Sequence, residues 1–204
     1  RHDPEEVVAE ILVGSDPDCH LVVDLPGVSP IHARVWADLD QSVVHDTHAP
    51  RGLYVNTTRV EGQTPIGEGD VLRTRHLALS VLHMPGHTPG LLCLHDPARR
   101  IFFSDDHLLE RISPNPLIEL GPDGEEGFFR PLLAYVASVG RMRALDLDLV
   151  LPGHGPPFSG HDQVIDALLA FMERRQARVR ELLARGEATA FELSRALFPG
   201  ARPG

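Results

Sequence analysis

Short apolar runs broken by Gly, Pro and Asp fill residues 10 to 160, and a helical period appears only after them. Residues 10 to 80 alternate brief strands with turns at close intervals, which argues an all-β sandwich rather than alternating βα units. Ser80 to Met84, Leu91 to His95, Ile101 to Ser104 and Leu149 to Leu151 are apolar runs of strand length bounded by turn formers, so each reads as a strand. Val164, Ile165, Leu168, Leu169, Met172, Val179, Leu182 and Leu183 then recur at helical spacing. They predict one amphipathic helix over roughly Asp162 to Arg185, ending at Gly186. Thr189 and Glu192 form a capping-box pattern that opens a second short helix, with Pro199-Gly200 as its stop.

A chain of 204 residues holds one large or two small domains with cores of their own. No apolar run is long enough to span a membrane and no signal peptide opens the sequence, so no membrane partner is expected and the cytoplasm is the expected location. Cys19 and Cys93 stand far apart in unrelated contexts and read as buried thiols rather than a disulfide or metal pair. All 19 basic residues are arginine and the net charge is −10, which disfavours a nucleic-acid partner. Arg174, Arg175 and Arg178 are most simply a solvated helix face.

Candidate chemistry sits at the strand ends. Pro85-Gly86-His87-Thr88-Pro89-Gly90, Phe103-Ser104-Asp105-Asp106-His107 and Leu151-Pro152-Gly153-His154-Gly155 each put a metal-binding side chain on a tight turn after an apolar strand. Gly and Pro fix the backbone that aims such residues from a rigid scaffold. Two imidazoles and a carboxylate suit zinc or a similar divalent ion, which lowers the pKa of bound water towards neutrality. Any one of the three alone is more simply a loop residue; the series is not.

The segments "VLHMPGHTPGLLCLHDPARRIFFSDDHLL" and "LDLDLVLPGHGPPF" resemble the ligand loops of metallo-β-lactamase-fold hydrolases, in particular the branch related to glyoxalase II. The resemblance covers roughly residues 61 to 199, because "RRQARVRELLARGEATAFELSRALFPG" is similar to the winged-helix-like tail of many such enzymes. It implies that His87 binds a first metal, His154 a second, and Asp106 bridges them as the catalytic carboxylate. The implied cofactor is Zn2+, one or two ions, with iron or manganese as alternatives. The implied reaction is attack of a metal-bound hydroxide on an ester, thioester or phosphoester of a small molecule. Two departures stand against it. Asp105 occupies a position where the family usually has Gly, and the family's His-x-His-x-Asp-His loop occurs nowhere in this sequence. Turnover therefore needs further ligands, from His45, His48, His83, His107 or a second subunit. The family shares its ligands between two ions roughly 3.5–4 Å apart, so a single ion is not expected to reach all three retained residues. Such tails pack on the catalytic domain or pair subunits, and a homodimer is the assembly this one allows.

Residues 10 to 80 carry a second resemblance, to forkhead-associated (FHA) domains. Gly14, Val28-Ser29 with His32, Gly52 to Asn56, and Gly69-Asp70 match that family's landmarks in order. The resemblance implies a phosphothreonine-peptide partner, held here by Ser29, Arg51 and Asn56. Ser15, Pro30 and Arg51 replace the family's arginine after Gly14, arginine after Ser29 and asparagine before Gly52. Residues 1 to 80 hold 6 arginines against 13 acidic residues, a net of −7, which opposes a phosphate. Peptide binding is thus expected to be weak, and His32 reads as structural, bonding across its turn.

The expected architecture is mixed α+β: an FHA-like β-sandwich over residues 1–75, part of an αββα metallo-β-lactamase-like sandwich over 76–160, and a helical tail over 161–204. The two resemblances overlap from about Glu61 to Leu82, which reads as a fusion point inside shared β structure. The second module needs cover for the face its missing half would bury. Either the FHA-like sheet or another copy of the chain is expected to supply it. A non-catalytic scaffold that keeps the turns for folding alone is the remaining reading.

Overall fold

A computed structural model of the chain describes residues 10–24, 26–37, 41–47, 49–75, 77–112 and 130–198. They fall into two compact units that divide after His161.

The first unit opens with strands β1 (Glu10–Gly14), β2 (Leu21–Val22), β3 (Ala33–Ala37), β4 (Ser42–Asp46), β5 (Tyr54–Val55), β6 (Thr58–Arg59), β7 (Gln63–Ile66) and β8 (Val71–Arg73). It continues with β9 (Ala78–His83), β10 (Leu92–Asp96), β11 (Ile101–Asp105), helix α1 (Pro131–Arg143) and β12 (Leu149–Pro152). These strands make a five-stranded sheet, ordered β2-β1-β3-β4-β7, and a seven-stranded sheet, ordered β12-β11-β10-β9-β8-β5-β6.

The seven-stranded sheet runs through both modules read from the sequence. β8 and β9 pair antiparallel, with Val71 opposite Ser80, Leu72 opposite Leu79 and Arg73 opposite Ala78. The turn between them is closed twice: Thr74 N–H donates to the Leu77 carbonyl at 3.0 Å, and Leu77 N–H donates to Thr74 Oγ1 at 3.1 Å.

Period-two alternation assigns the layers. Leu79, Val81 and Leu94, with Leu92, Phe103 and Leu151 at the margin, join Val13, Val35, Val44 and Ile66 of the five-stranded sheet in one core. The five-stranded sheet thus covers the face for which the sequence reading requires a partner. The intervening residues Cys93, Phe102 and Val150 point to the opposite face and are buried too. On that side α1 presents Tyr135, Ser138, Val139 and Met142, all buried.

Both cysteines are buried and free, as expected from their contexts. In the second unit, helix α2 (His161–Leu183) ends in a turn at Gly186, whose N–H donates to the Leu183 carbonyl at 3.2 Å. Helix α3 (Ala190–Leu197) opens with the full capping box: Glu192 N–H donates to Thr189 Oγ1 at 3.2 Å, and Thr189 N–H donates to Glu192 Oε2 at 2.8 Å. Arg175 departs from a purely solvated role, lying 4.6 Å from the Phe198 ring centroid and 5.3 Å from that of Phe171. The expected stop at Pro199-Gly200 lies outside the described residues. No described helix is long and apolar enough to cross a membrane.

Candidate metal centre

Topology brings the three ligand loops to one edge of the seven-stranded sheet. β9 and β11 each pair antiparallel with β10 and so run the same way, and β12 runs parallel to β11. Their C-terminal ends therefore emerge together, carrying His87, Asp106 and His154.

Both imidazoles meet the same carboxylate oxygen. His87 Nε2 lies 3.7 Å and His154 Nε2 3.5 Å from Asp106 Oδ2. The other oxygen, Asp106 Oδ1, is buried and has no hydrogen-bond partner. Side-chain exposure grades the site, 24% for His87 and Asp106 and 72% for His154, so His154 forms its solvent side.

The loops are held in place from α1, which lies outside the sequence expectations. Gly86 has φ +147°, and a Cβ there would lie 2.5 Å from Tyr135 Cα. Ser138 Oγ donates to the Pro85 carbonyl at 2.9 Å, and Tyr135 Oη donates to the His107 carbonyl at 2.8 Å. Arg141 donates to the His83 carbonyl and to Glu68, both at 2.8 Å. The signal for this helix is present in the sequence: Pro131 suits a first turn, and Tyr135, Ser138, Val139 and Met142 follow at three- and four-residue spacing.

Asp105 stands in the left-handed region at φ +48°, a conformation that costs a side-chain-bearing residue about 1 kcal/mol. Its carbonyl accepts from Gly153 N–H at 3.0 Å, tying the Asp106 loop to the His154 loop. A Cβ on Gly153 would lie 2.7 Å from Asp105 Oδ1 and 3.2 Å from Asp106 Oδ1, so both carboxylates gather over this glycine. Burial first, and then the charge of Asp106, raise the Asp105 carboxyl above its ordinary value.

His107 is fully buried, its ring centroid 5.1 Å from that of Tyr135. Burial first, and then the neighbouring Arg141 and His87, lower its pKa to about 4. It is a neutral packed ring. The other candidate ligands are engaged elsewhere: His83 Nε2 lies 2.7 Å from the Pro89 carbonyl, and His45 packs tilted against Trp36 at 6.5 Å. Asp46 spends its carboxylate on the Ala49 and Leu53 amides, at 2.7 and 3.0 Å. His48 lies outside the described residues. His161, the first residue of α2, is buried. The bridge between Phe158 and Val150 draws the preceding segment down onto β12. Among the described residues, no group of three or more His, Cys, Asp or Glu side chains encloses a metal position as it stands.

The phosphopeptide candidates lie on the other module. Ser29 is half-buried in the β2–β3 loop, where its N–H donates to His32 Nδ1 at 3.2 Å and its carbonyl accepts from Ser15 N–H at 2.9 Å. Arg51 is exposed before β5. Asn56, at φ +57°, uses its amide to hold the neighbouring turn: Nδ2 donates to Asp70 Oδ1 at 2.8 Å, and Oδ1 accepts from Val71 N–H at 3.0 Å. His32 is buried, bonds across its turn, and has its pKa lowered by that burial.

Comparison with known proteins finds relatives of two kinds. Residues 11–74 match the FHA domain family. The chain is 35% identical over 121 residues to a probable metallo-hydrolase, YqjP, of Bacillus subtilis, covering 59% of this chain and 37% of that protein. It is 33% identical over 123 residues to the human acyl-coenzyme A thioesterase MBLAC2, covering 57% and 40%. Among solved structures, a β-lactamase domain protein from Burkholderia ambifaria superposes with a TM-score of 0.60 at 32% identity, over 66% of this chain and 41% of that one. A metallo-β-lactamase family protein from Thermus thermophilus superposes with a TM-score of 0.54 at 31% identity, over 70% and 45%. The chain thus spans less than half the length of each of these relatives. The chain is thus similar to FHA domains over residues 11–74 and, over more than half of its length, to hydrolases of the metallo-β-lactamase fold.

Proposed function

We propose that this chain is a divalent-metal-binding module of hydrolase descent, with His87, Asp106 and His154 as ligands of a single ion. The supporting observation is the convergence of both Nε2 atoms on one oxygen of Asp106, beside a second oxygen that is buried without a hydrogen-bond partner. Ligands about 2.0–2.2 Å from one tetrahedral ion stand some 3.3–3.6 Å apart, close to the separations seen here. Two imidazoles and a carboxylate are the donor set of zinc, with iron or manganese as the alternatives. The donors fit such an ion in kind; among the described residues none enclose a metal position as they stand, and binding would have to draw them closed.

When bound, the ion supplies Lewis acidity for hydrolysis, and the reaction class that follows is cleavage of a small ester, thioester or phosphoester. His154 leaves the site open to solvent and substrate on one side, while α1 holds the His87 and Asp106 loops. The two buried free thiols suit a cytoplasmic protein.

Metal analysis of the purified chain tests this. About one zinc, iron or manganese per chain is expected, with a melting temperature that falls on adding EDTA and a His87→Ala variant that loses the ion. Protein free of all three metals, with melting indifferent to EDTA and to added zinc, would overturn the reading.

A second reading concerns the FHA domain, whose family match supports a phosphothreonine-peptide partner. Ser29 and Arg51 would carry the phosphate contacts, weakly, since Asn56 is committed to Asp70 and Val71. A peptide array on which binding disappears with Ser29→Ala supports it; an unchanged profile rejects it.

A further inference from the structure

We infer that Glu68, in the turn between β7 and β8, is a positioning residue of the candidate metal centre: with Arg141 it fixes the strand end from which the His87 turn departs. The inference rests on the one-ion reading above. His83 is the last residue of β9, and one ion pair takes both of its backbone groups. The His83 N–H donates to Glu68 Oε2, the His83 carbonyl accepts from Arg141 Nη1 at 2.8 Å, and Arg141 Nη2 donates to Glu68 Oε1 at 2.8 Å. The His83 imidazole reaches across to the far arm of the turn, with Nε2 2.7 Å from the Pro89 carbonyl. Met84 N–H on the Leu91 carbonyl and Ser138 Oγ on the Pro85 carbonyl, both at 2.9 Å, complete the frame around His87.

Glu68 belongs to the FHA-like residues 11–74, whereas His83 and Arg141 lie on β9 and α1. Its turn is fixed from both sides. Asp70 Oδ2 accepts from Gly67 N–H at 2.9 Å and Asp70 Oδ1 from Asn56 Nδ2 at 2.8 Å, while Gly69 N–H donates to the Val81 carbonyl at 3.0 Å. An exposed ion pair by itself adds little to stability, and both partners here are about half exposed. The contribution of this one is geometric, because a planar guanidinium spans a carboxylate and a carbonyl in one fixed orientation. With the backbone on either side of His87 held, closing on an ion falls to side-chain rotation, which costs less than ordering a free loop. Support for the first ligand thus comes from the FHA-like segment as well as from the hydrolase-like strands.

The test compares the full-length wild type with Glu68→Ala, Glu68→Asp, Arg141→Met and the double variant Glu68→Ala/Arg141→Met. Zn2+ affinity is read by competition with a chromophoric chelator, and ligand geometry by the visible spectrum of the Co2+-loaded protein. Each single variant is expected to bind Zn2+ about tenfold more weakly or worse, the loss typical of residues that orient metal ligands, with an altered Co2+ spectrum. The double variant is expected to lose no more than either single one, because the pair acts as a unit through His83. Glu68→Asp keeps the charge and shortens the reach, so it separates position from electrostatics and decides the matter even where Glu68→Ala does not fold. Wild-type affinity and an unchanged Co2+ spectrum in Glu68→Asp overturn the inference and leave the one-ion reading standing. Losses that add in the double variant overturn it as well. If wild type binds neither Zn2+ nor Co2+, both fall.

Discussion

Gly86 and Tyr135 are in backbone contact: the place a Gly86 Cβ would occupy is 2.5 Å from Tyr135 Cα and 2.8 Å from its nitrogen. Neither of these atoms can swing aside as a side-chain tip can. Gly86→Ala adds that clash to an unfavourable φ of +147°, and is expected to cost at least about 2 kcal/mol. Urea denaturation of the purified variant measures it, and a change under 0.5 kcal/mol would show that the 85–90 turn moves freely over α1.

The phenol of Tyr135 is the link between α1 and the loop carrying Asp106. Tyr135→Phe keeps the ring against His107 and removes only the 2.8 Å bond to the His107 carbonyl. A buried carbonyl left without its donor costs about 1–3 kcal/mol. The expected result is a loss of stability of that size, with faster amide exchange at residues 104–108; unchanged exchange there would mean the loop is held by other contacts.

Burial keeps His32 neutral, so its folded pKa lies below the ordinary 6.5, although the charge of Asp46 pulls it the other way. Between the folded and unfolded pKa values the unfolded chain binds more protons. The His32 contribution is therefore fully present above about pH 6.5 and is lost as pH falls through the folded value. Unfolding free energies from pH 7.5 down to 4.5 should fall more steeply in wild type than in His32→Asn. Parallel curves would contradict this.

Val44, fully buried in the five-stranded sheet, shares a core with Val81 and Leu94 of the hydrolase-like strands. Val44→Ala removes about two methyl groups' worth of burial, some 2 kcal/mol. If the first unit unfolds as a whole, native-state exchange at β10 and β11 amides will accelerate by the same factor as at β3 and β4. Acceleration confined to residues 10–74 would mean that the two modules melt separately.

The sequence makes the ligand loops legible because each couples a period-two apolar run to Gly, Pro and one ligand residue, and those signals are local. The capping box of Thr189 and Glu192 is local in the same sense. Helix α1 is as strongly marked by Pro131 and the Tyr135–Met142 spacing, yet its importance lies in what Tyr135 and Ser138 touch, 28 and 53 residues away in sequence. The pairing of β8 with β9 places a strand of the FHA-like segment beside one of the hydrolase-like segment in one sheet, a relationship that neither segment states by itself. Convergence of His87 and His154 on one oxygen of Asp106 is likewise a matter of three loops at once, whereas the family pattern alone distributes them over two ions.

The hairpin turn at Thr74–Leu77 sets a parity rule on the whole molecule. Leu72 faces Leu79 across the ladder, and both point into the shared core. One residue added to or removed from that turn, with the pairing otherwise kept, would rotate β9 by half a pleat and send Leu79 and Val81 to the helix side. The same slip would carry through β10 and β11 and turn the ligand-bearing half inside out with respect to its cover. Only turns with the correct odd or even spacing keep Leu79 and Val81 in the shared core and the ligand loops on their own side of it.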